Sequence, residues 1–233
     1  MALIFEQRAT NGPAEIAPGD KMTIEKFFTF TDTLPDENRW KQTEGRLVSK
    51  ASPTDRMIVR KPEPFSPDDL AAVHALNQHF AEELSSVAPL RLAELVSHAV
   101  YARCIRTPSG ERLAGFLIAF DESSDYDGEN FRWFKARFDR FVYIDRIAVA
   151  PHAHGQGVAR KLYADLFNWA DLCGHTRLTC EVNIMPPNPG SQKLHAALGF
   201  QEIGQATLKG GCKSVSYLLL DVSLMPSPPD TAR

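Results

Sequence analysis

Residues 149–159, VAPHAHGQGVA, place glycines where a predicted strand gives way to a predicted helix. Gly155 and Gly157 put no side chain in the path of an approaching anion, and the first turn of a helix leaves backbone N–H groups without intrahelical partners. This arrangement favours a phosphate group. The spacing lacks both the third glycine of the dinucleotide fingerprint and the Gly-Lys-Ser/Thr of a Walker loop. It predicts a phosphate-binding turn of another kind, the alternative being a helix start without a ligand.

The elements around this turn follow from apolar spacing and turn residues. Ser66-Pro67-Asp68-Asp69 is typical of a helix start with Ser66 as N-cap, and apolar residues at three- and four-residue spacing follow it. Gly174 ends the helix that follows the glycine turn, and Ser191 is predicted to cap the last helix. The expected helices are 67–83, 89–98, 155–173 and 191–198; the expected strands are 99–106, 112–120, 141–150, 176–183, 200–208 and 213–222.

The order of these elements constrains the sheet. The strand–helix–strand unit over 141–183 requires a right-handed crossover and hence one parallel pair, whereas the hairpins on either side are antiparallel. The sequence therefore predicts an α/β (α+β) fold with a mixed, mostly antiparallel sheet of about six to seven strands flanked by about four helices. We expect an irregular extension over 1–65, one domain over 66–222 and a disordered tail over 223–233.

Composition excludes several classes of function. The 233 residues carry 26 Lys plus Arg against 29 Asp plus Glu, a net charge of −3, so no basic excess suggests nucleic acid or an anionic membrane as a partner. No apolar run is long enough to span a membrane and no leader pattern is present, so a cytoplasmic protein is expected. The cysteines form no CxxC pair, and no metal site is predicted. They are Cys104, Cys173, Cys180 and Cys212.

Residues 149–159 fit the pattern V-x-P-x-x-[Arg/Gln]-G-x-G-x-[Gly/Ala] and resemble the acetyl-CoA-binding motif of the GNAT superfamily of N-acetyltransferases. His154 stands where the motif usually has Arg or Gln. A second family segment comprises Glu181-Val182-Asn183, Asn188, Ser191 and LHAALGF. The resemblance covers about 66–222 and implies the GNAT acyl-CoA N-acyltransferase fold. It also implies acetyl-CoA as cosubstrate and direct attack of an amine on the acetyl thioester in a ternary complex.

The resemblance also implies which residues bind the cosubstrate. Backbone N–H groups around the end of the 141–150 strand are expected to hold the thioester carbonyl. The glycine turn is expected to bind the pyrophosphate, and Asn183 and Asn188 the pantetheine arm. Asn188, between two prolines, equally fits a turn-stabilising role. The full set of predicted cofactor-binding residues is Ile147, Ala148, Val149, His154, Gly155, Gln156, Gly157, Val158, Ala159, Asn183, Asn188 and Ser191.

Four residues are catalytic candidates. His195 takes the place of the tyrosine with which many family members protonate the departing CoA thiolate, and an imidazolium could do this work. Tyr143 and Asp145, two residues apart on one strand, share a face near the point where family members often hold an acidic base. Glu181 lies on the neighbouring strand. The alternatives are a structural His195 and an ion pair between Asp145 and Arg146.

An acidic, aromatic insertion at 121–140 is longer than most connections and is a candidate functional loop. Its carboxylates are Asp121, Glu122, Asp125, Asp127 and Glu129. They would attract a cationic amine, with walls supplied by Tyr126, Phe131, Trp133 and Phe134. The alternative is a solvated acidic loop.

The sequence as a whole favours an N-acetyltransferase that acts on a primary amine of a small molecule or a protein, as a monomer or homodimer. The alternative is a non-catalytic acyl-CoA-binding sensor or interaction module. Residues 21–60 resemble the opening of the Uma2-type family of predicted nucleases, but the later acidic and lysine residues of such a nuclease have no counterpart here. A nuclease is therefore the least favoured interpretation.

Overall fold

The computed structural model describes residues 40–43, 46–49, 63–66, 68–208 and 211–222. The predicted tail at 223–233 and most of the predicted extension lie outside these residues. Within the extension, β1 (Trp40–Thr43) and β2 (Arg46–Ser49) form an antiparallel hairpin. No helix in the described part has the length and apolar character needed to cross a membrane.

The other described strands form one seven-stranded sheet in the order β3-β4-β5-β6-β7-β9-β8. Every neighbouring pair is antiparallel except β6 and β7, which are parallel, so the sheet is mixed and mostly antiparallel as predicted. The strands are β3 (Glu63–Pro64), β4 (Tyr101–Arg106), β5 (Leu113–Asp121), β6 (Val142–Val149), β7 (Arg177–Met185), β8 (Gln201–Leu208) and β9 (Lys213–Asp221).

Helices cover both faces of this sheet, and each face buries its own apolar core. One core packs the long helix α5 against β4–β7 and β9, and the other places α1, α3 and α4 on the opposite face. The described helices are α1 (Asp69–His79), α2 (Ala81–Leu84), α3 (Pro89–His98), α4 (Glu129–Lys135), α5 (Val158–Leu172) and α6 (Pro189–Ala197), with a 3₁₀ turn at Pro151–Ala153.

The helix predicted over 67–83 is two helices that break at Phe80, whose ψ of 35° is not helical. Arg146 on β6, which is 8% exposed, contacts the chain on both sides of this break. Its Nη1 donates to the Asn77 side chain at 2.6 Å and to the carbonyls of Leu84 and Ser85 at 2.9 and 3.1 Å. A buried guanidinium needs such acceptors, and the segments before and after Phe80 supply them.

Two other helix predictions also need correction. The predicted cap Ser66 lies ahead of α1, where its N–H and hydroxyl both donate to Asp69 at 2.7 Å, and α1 begins at Asp69 itself. The last helix begins at Pro189 because Asn188, not Ser191, is its N-cap. Asn188 Oδ1 accepts a hydrogen bond of 3.1 Å from the Ser191 N–H.

The insertion at 121–140 is not a loop throughout. It contains α4, and Phe131 and Phe134 on this helix have no exposed surface because they pack into the core on that side of the sheet. Trp133 stacks on Tyr217 with ring centroids 4.1 Å apart. Of the four aromatic residues expected to form walls for a substrate, only Tyr126 lines the cavity described below.

Candidate active site

The one parallel pair of strands opens into a cavity. Pairing between β6 and β7 covers only Val142 with Leu178 and Tyr143 with Thr179. Beyond these residues both strands continue, and a cavity of about 930 Å³ lies between them. Backbone groups on this side of β6 are therefore free of sheet pairing and can face a ligand.

A β-bulge sits in β6 at the mouth of this opening. The partners of Ala119 and Ile118 on β5 are Ile144 and Arg146, so Asp145 is the extra residue. The bulge leaves Asp145 on the face of Tyr143, as the spacing predicts, because both residues contact Tyr126. Tyr126 Oη donates to Asp145 at 2.6 Å, and its ring lies 6.1 Å from the ring of Tyr143.

The glycine turn lines the cavity at the start of α5. Gly157 caps α5 in the left-handed conformation (φ 76°), no side chain caps this helix, and a Cβ placed on Gly157 would meet nothing within 4 Å. The start of a 15-residue helix is thus open to a phosphate. Arg160, in its first turn, also lines the cavity. These features fit the pyrophosphate of a CoA thioester.

The predicted cofactor-binding residues converge on this cavity with one exception. Gln156 does not line it, and its amide nitrogen donates to the His152 carbonyl at 2.9 Å. His154 lines the cavity, but its Nε2 donates to the Val149 carbonyl at 2.9 Å. The other lining members are Ile147, Ala148, Val149, Gly155, Gly157, Val158, Ala159, Asn183, Asn188 and Ser191.

The two asparagines expected to hold a pantetheine arm are already engaged. Asn183 is buried, and its Nδ2 donates to the carbonyls of Glu82 and Glu83 at 3.3 and 3.4 Å, which ties α2 to β7. The Oδ1 of Asn188 caps α6. Both residues line the cavity, but Asn183 Nδ2 and Asn188 Oδ1 form hydrogen bonds within the protein.

Glu181 and Tyr143 face each other across the two strands. Tyr143 Oη donates to Glu181 Oε2 at 2.8 Å. Burial raises the pKa of Glu181 to about 7 and the negative Asp145 adds to the rise, while hydrogen bonds from Tyr143 and Asn130 and the charge of Lys213 oppose it. A carboxylate with such a pKa exchanges protons near neutral pH. Burial, followed by the charge of Glu181, raises the pKa of Tyr143 well above its usual value, so Tyr143 remains a donor.

Asp145 lies in the same cavity but has fixed partners. Its Oδ1 accepts from Tyr126, and its Oδ2 lies 3.0 Å from Nε of Arg146, with side-chain exposures of 7% and 9% for the pair. This is the ion pair that the sequence offered as the alternative to a catalytic role. Both carboxylate oxygens of Asp145 therefore face partners within the protein.

His195 lines the cavity but does not have the protonation state expected of an acid. Its Nδ1 lies 2.8 Å from the Ser191 carbonyl, which only accepts, so Nδ1 carries the proton. Its Nε2 then accepts from Tyr163 Oη at 2.6 Å. Burial lowers the pKa of His195 to about 4. The imidazolium role does not fit this geometry, because at neutral pH the ring is neutral and its one proton is held by a backbone carbonyl.

Only part of the acidic insertion faces the cavity. Of the five acidic residues in the insertion, only Glu129 lines it. Asp127 pairs with Arg91 at 3.0 Å, and Asp121 and Glu122 lie beside His175. The cavity instead collects Glu83, Glu129, Asp145 and Glu181 from four elements. Glu83 is the member that the sequence did not indicate, because it lies far from the other three along the chain.

Arg146 lies near the site, and the sequence pattern did not show its main structural role. It appeared only as a partner for Asp145, whereas its guanidinium also holds Asn77 and the α1–α2 break against β6. A charged residue inside an otherwise apolar strand, FVYIDRIAVA, is the signal that could have indicated a buried clamp.

Comparison with known proteins gives consistent results. The model of the acetyltransferase (GNAT) family matches residues 71–200, more than half of the chain. An aminoglycoside N(6')-acetyltransferase type 1 from Serratia marcescens is 35% identical over 91 residues. These cover 39% of this chain and 58% of that enzyme. The matched region thus spans little more than half of the curated relative.

Solved structures share the fold at low sequence identity. Ard1 from Thermoplasma volcanium has a TM-score of 0.57 at 14% identity, with 70% of this chain and 97% of that chain covered. The acetyltransferase yncA from Salmonella typhimurium, solved with acetyl-CoA, has a TM-score of 0.51 at 21% identity, with 76% and 100% covered. The match to the family model, together with this fold, shows that the chain belongs to the GNAT family of acetyltransferases.

Proposed function

We propose that this protein transfers the acetyl group of acetyl-CoA to a small cationic amine, with Glu181 as the general base. One observation carries the proposal. A carboxylate whose pKa is about 7 lies in the cavity between the diverging strands, and the glycine turn at the start of α5 lines the same cavity. A proton acceptor and an anion-binding helix end therefore share one space.

The glycine turn supports the cosubstrate assignment. Bound acetyl-CoA would supply an acetyl thioester, with its pyrophosphate at the N-terminus of α5 near Gly157. Backbone N–H groups of β6 beyond the point where pairing with β7 ends are the donors available to a thioester carbonyl. The structural relatives yncA and Arabidopsis thaliana NAA60 were crystallised with acetyl-CoA, which agrees with this use of the fold.

The base assignment follows from the state of the amine. A lysine-like ammonium has a pKa of about 10 and must lose its proton before it can attack. Glu181 is partly deprotonated at neutral pH and lies where β7 borders the cavity. Tyr143 is a positioning residue, because its hydroxyl holds one of the two carboxylate oxygens of Glu181.

The departing thiolate does not require His195 as its acid. A thiol has a pKa of about 8.5, so its anion is a tolerable leaving group near neutral pH. His195 is neutral, and each of its ring nitrogens is hydrogen-bonded. It instead fixes Tyr163 and the first turn of α6 at the edge of the cavity. We therefore assign His195 a structural role, which was the alternative interpretation of the sequence.

The charges of the cavity support a cationic acceptor. Glu83 and Glu129 add to the negative charge of Glu181, and the rings of Phe80 and Tyr126 line the same space. Four cations among the described residues also line the cavity: Arg146, which pairs with Asp145; Arg160, at the glycine turn; Lys193; and Lys213, whose Nζ lies 3.5 Å from the Glu83 carbonyl. Several carboxylates beside aromatic surface suit an amine that carries more than one positive charge. The aminoglycoside-acetylating relative agrees with this substrate class.

The test is thiol release from acetyl-CoA in the presence of a panel of amines: polyamines, aminoglycosides, neutral monoamines and peptides with free N-termini. We expect turnover with the multiply charged small amines and little with the neutral ones. Turnover confined to peptides would contradict the acceptor class but keep the reaction. Tight binding of CoA without turnover on any amine would favour the acyl-CoA sensor instead.

A further inference from the structure

Three side chains suited to metal ligation meet near the end of α5 opposite to the glycine turn. Asp121 is the last residue of β5, Glu122 follows it, and His175 lies in the turn between α5 and β7. One ligand atom from each lies within 4.8 Å of the others. The cluster is near the C-terminus of α5, whose 15 residues span about 22 Å from the glycine turn.

His175 carries the observation that points to a ligand. The residue is 5% exposed, and its buried Nδ1 has no hydrogen-bond partner among the described residues. Nδ1 lies 3.8 Å from Glu122 Oε2, and Nε2 lies 3.9 Å from Asp121 Oδ2. Both separations exceed hydrogen-bond length. A buried ring nitrogen without a partner is unfavourable, and a cation among these groups would supply one.

The surroundings hold the side chains in this arrangement. Asp121 Oδ1 accepts from the N–H and hydroxyl of Ser123 at 3.0 and 2.7 Å and from the Ser124 hydroxyl at 3.1 Å, which leaves Oδ2 toward His175. The indole of Trp169 stacks on the imidazole at 5.9 Å between centroids. Outer contacts of this kind orient the ligands of known metal sites.

We infer that Asp121, Glu122 and His175 bind a divalent transition-metal ion such as Zn²⁺, with water completing the coordination. Imidazole and carboxylate oxygen are both ligands of Zn²⁺, at about 2.0–2.2 Å from the metal. Ligand atoms around a tetrahedral ion lie roughly 3.3–3.5 Å apart. The three ligand atoms here lie within 4.8 Å of one another, so they would have to move together by up to about 1.5 Å around the ion. Arg140 Nε lies 3.7 Å from the other Glu122 oxygen, on an exposed side chain.

The ion would act on stability and not on acetyl transfer. It would join the end of β5 and the start of the insertion to the turn that leads into β7. No sequence pattern indicates this site, because two of its members are adjacent and the third is more than fifty residues away.

The experiment is calorimetric titration of the chelator-treated, full-length protein with Zn²⁺, together with thermal unfolding. We expect one ion per chain and a Tm about 5–10 °C higher at a Zn²⁺ concentration 100-fold above Kd. His175→Gln and Asp121→Asn should each weaken binding at least tenfold. His154→Gln changes a histidine near the glycine turn and should leave Zn²⁺ affinity unchanged.

Absence of binding, or binding that is unaffected in both variants, would overturn the assignment. If the variants do not fold, Co²⁺ titration of the unaltered protein decides. Visible absorption bands that Zn²⁺ displaces support the site, and their absence overturns it. Stabilisation at low pH with no dependence on metal would show that a proton on His175 bridges the carboxylates. That result would also overturn the assignment of a metal site.

Discussion

Tyr143 Oη donates a 2.8 Å hydrogen bond to Glu181 Oε2 at the place where β6 and β7 stop pairing. The bond closes the narrow end of the opening between the strands and holds the carboxylate at its edge. It also opposes the effect of burial on the pKa of Glu181. The position of the proposed base and its readiness to take a proton thus depend on the same contact.

The pH dependence of kcat should report Glu181. Because the proposed base must be deprotonated, kcat should rise about tenfold per pH unit below 7 and level off above it. Glu181→Gln should lower kcat by about 10²–10⁴. Tyr143→Phe removes a donor to the carboxylate and should move the midpoint to higher pH. A midpoint that is unchanged in Tyr143→Phe would contradict the positioning role.

Glu181 should also make stability depend on pH. Its pKa of about 7 in the folded protein exceeds the ordinary value of 4.5, so the native state holds a proton that the unfolded state releases between these values. Stability is therefore lost as pH rises from 4.5 to 7. Glu181→Gln should unfold at a higher temperature than the wild type at pH 8 and show no such advantage at pH 4.5. The exposed Glu94→Gln is the matched control, in which an equal gain at pH 8 would refute this explanation.

His195 should make stability depend on pH in the opposite direction. Its folded pKa of about 4 lies below the ordinary 6.5, so only the unfolded state takes up a proton between these values. Stability should fall by about 3 kcal/mol as pH drops from 6.5 to 4. His195→Gln should lower stability at pH 7 but flatten this slope in denaturant titrations. Exposed His98→Gln should keep the wild-type slope, and a His195→Gln variant with that same slope would be inconsistent with a neutral, buried His195.

Gly157 should matter for binding as well as for backbone conformation. Its φ of 76° makes alanine cost roughly 1–2 kcal/mol of stability, and the added Cβ would project into the space expected for pyrophosphate. We expect Gly157→Ala to weaken CoA binding at least tenfold in calorimetry. Gly174→Ala, with φ 73° at the other end of α5, carries similar strain and should bind CoA normally. Equal loss in both variants would assign the effect to strain alone.

The carboxylates of the cavity should act on KM. Glu129→Gln should raise KM for a multiply charged amine several-fold at low salt, with less effect at high salt, because screening weakens the attraction. The control is Asp127→Asn, since Asp127 pairs with Arg91 and does not line the cavity. An equal change in both variants would point to overall charge and not to the cavity.

The element order, the single parallel pair and the glycine turn were predictable, because each depends on local periodicity and on residues adjacent in the chain. Nearly all of the predicted site residues line one cavity for the same reason. The ion pair of Asp145 with Arg146 joins adjacent residues and was one of the two expected alternatives. The protonation of His195 depends on burial, and therefore on residues far away in the chain. The break at Phe80 was missed because the local apolar spacing continues through it, and the Arg146 that contacts both sides of it lies on another element.

The extra residue Asp145 shifts the alternation of side chains between the two faces of the sheet along β6. Before it, Val142 and Ile144 pack on the α5 side of the sheet, and after it Ile147 and Val149 do. Removing any single residue between Ile144 and Ile147 would turn one half of the strand over, exchanging its core-facing and opposite sides. Homologous chains that keep this cavity should therefore tolerate substitution within β6 but not a change in its length.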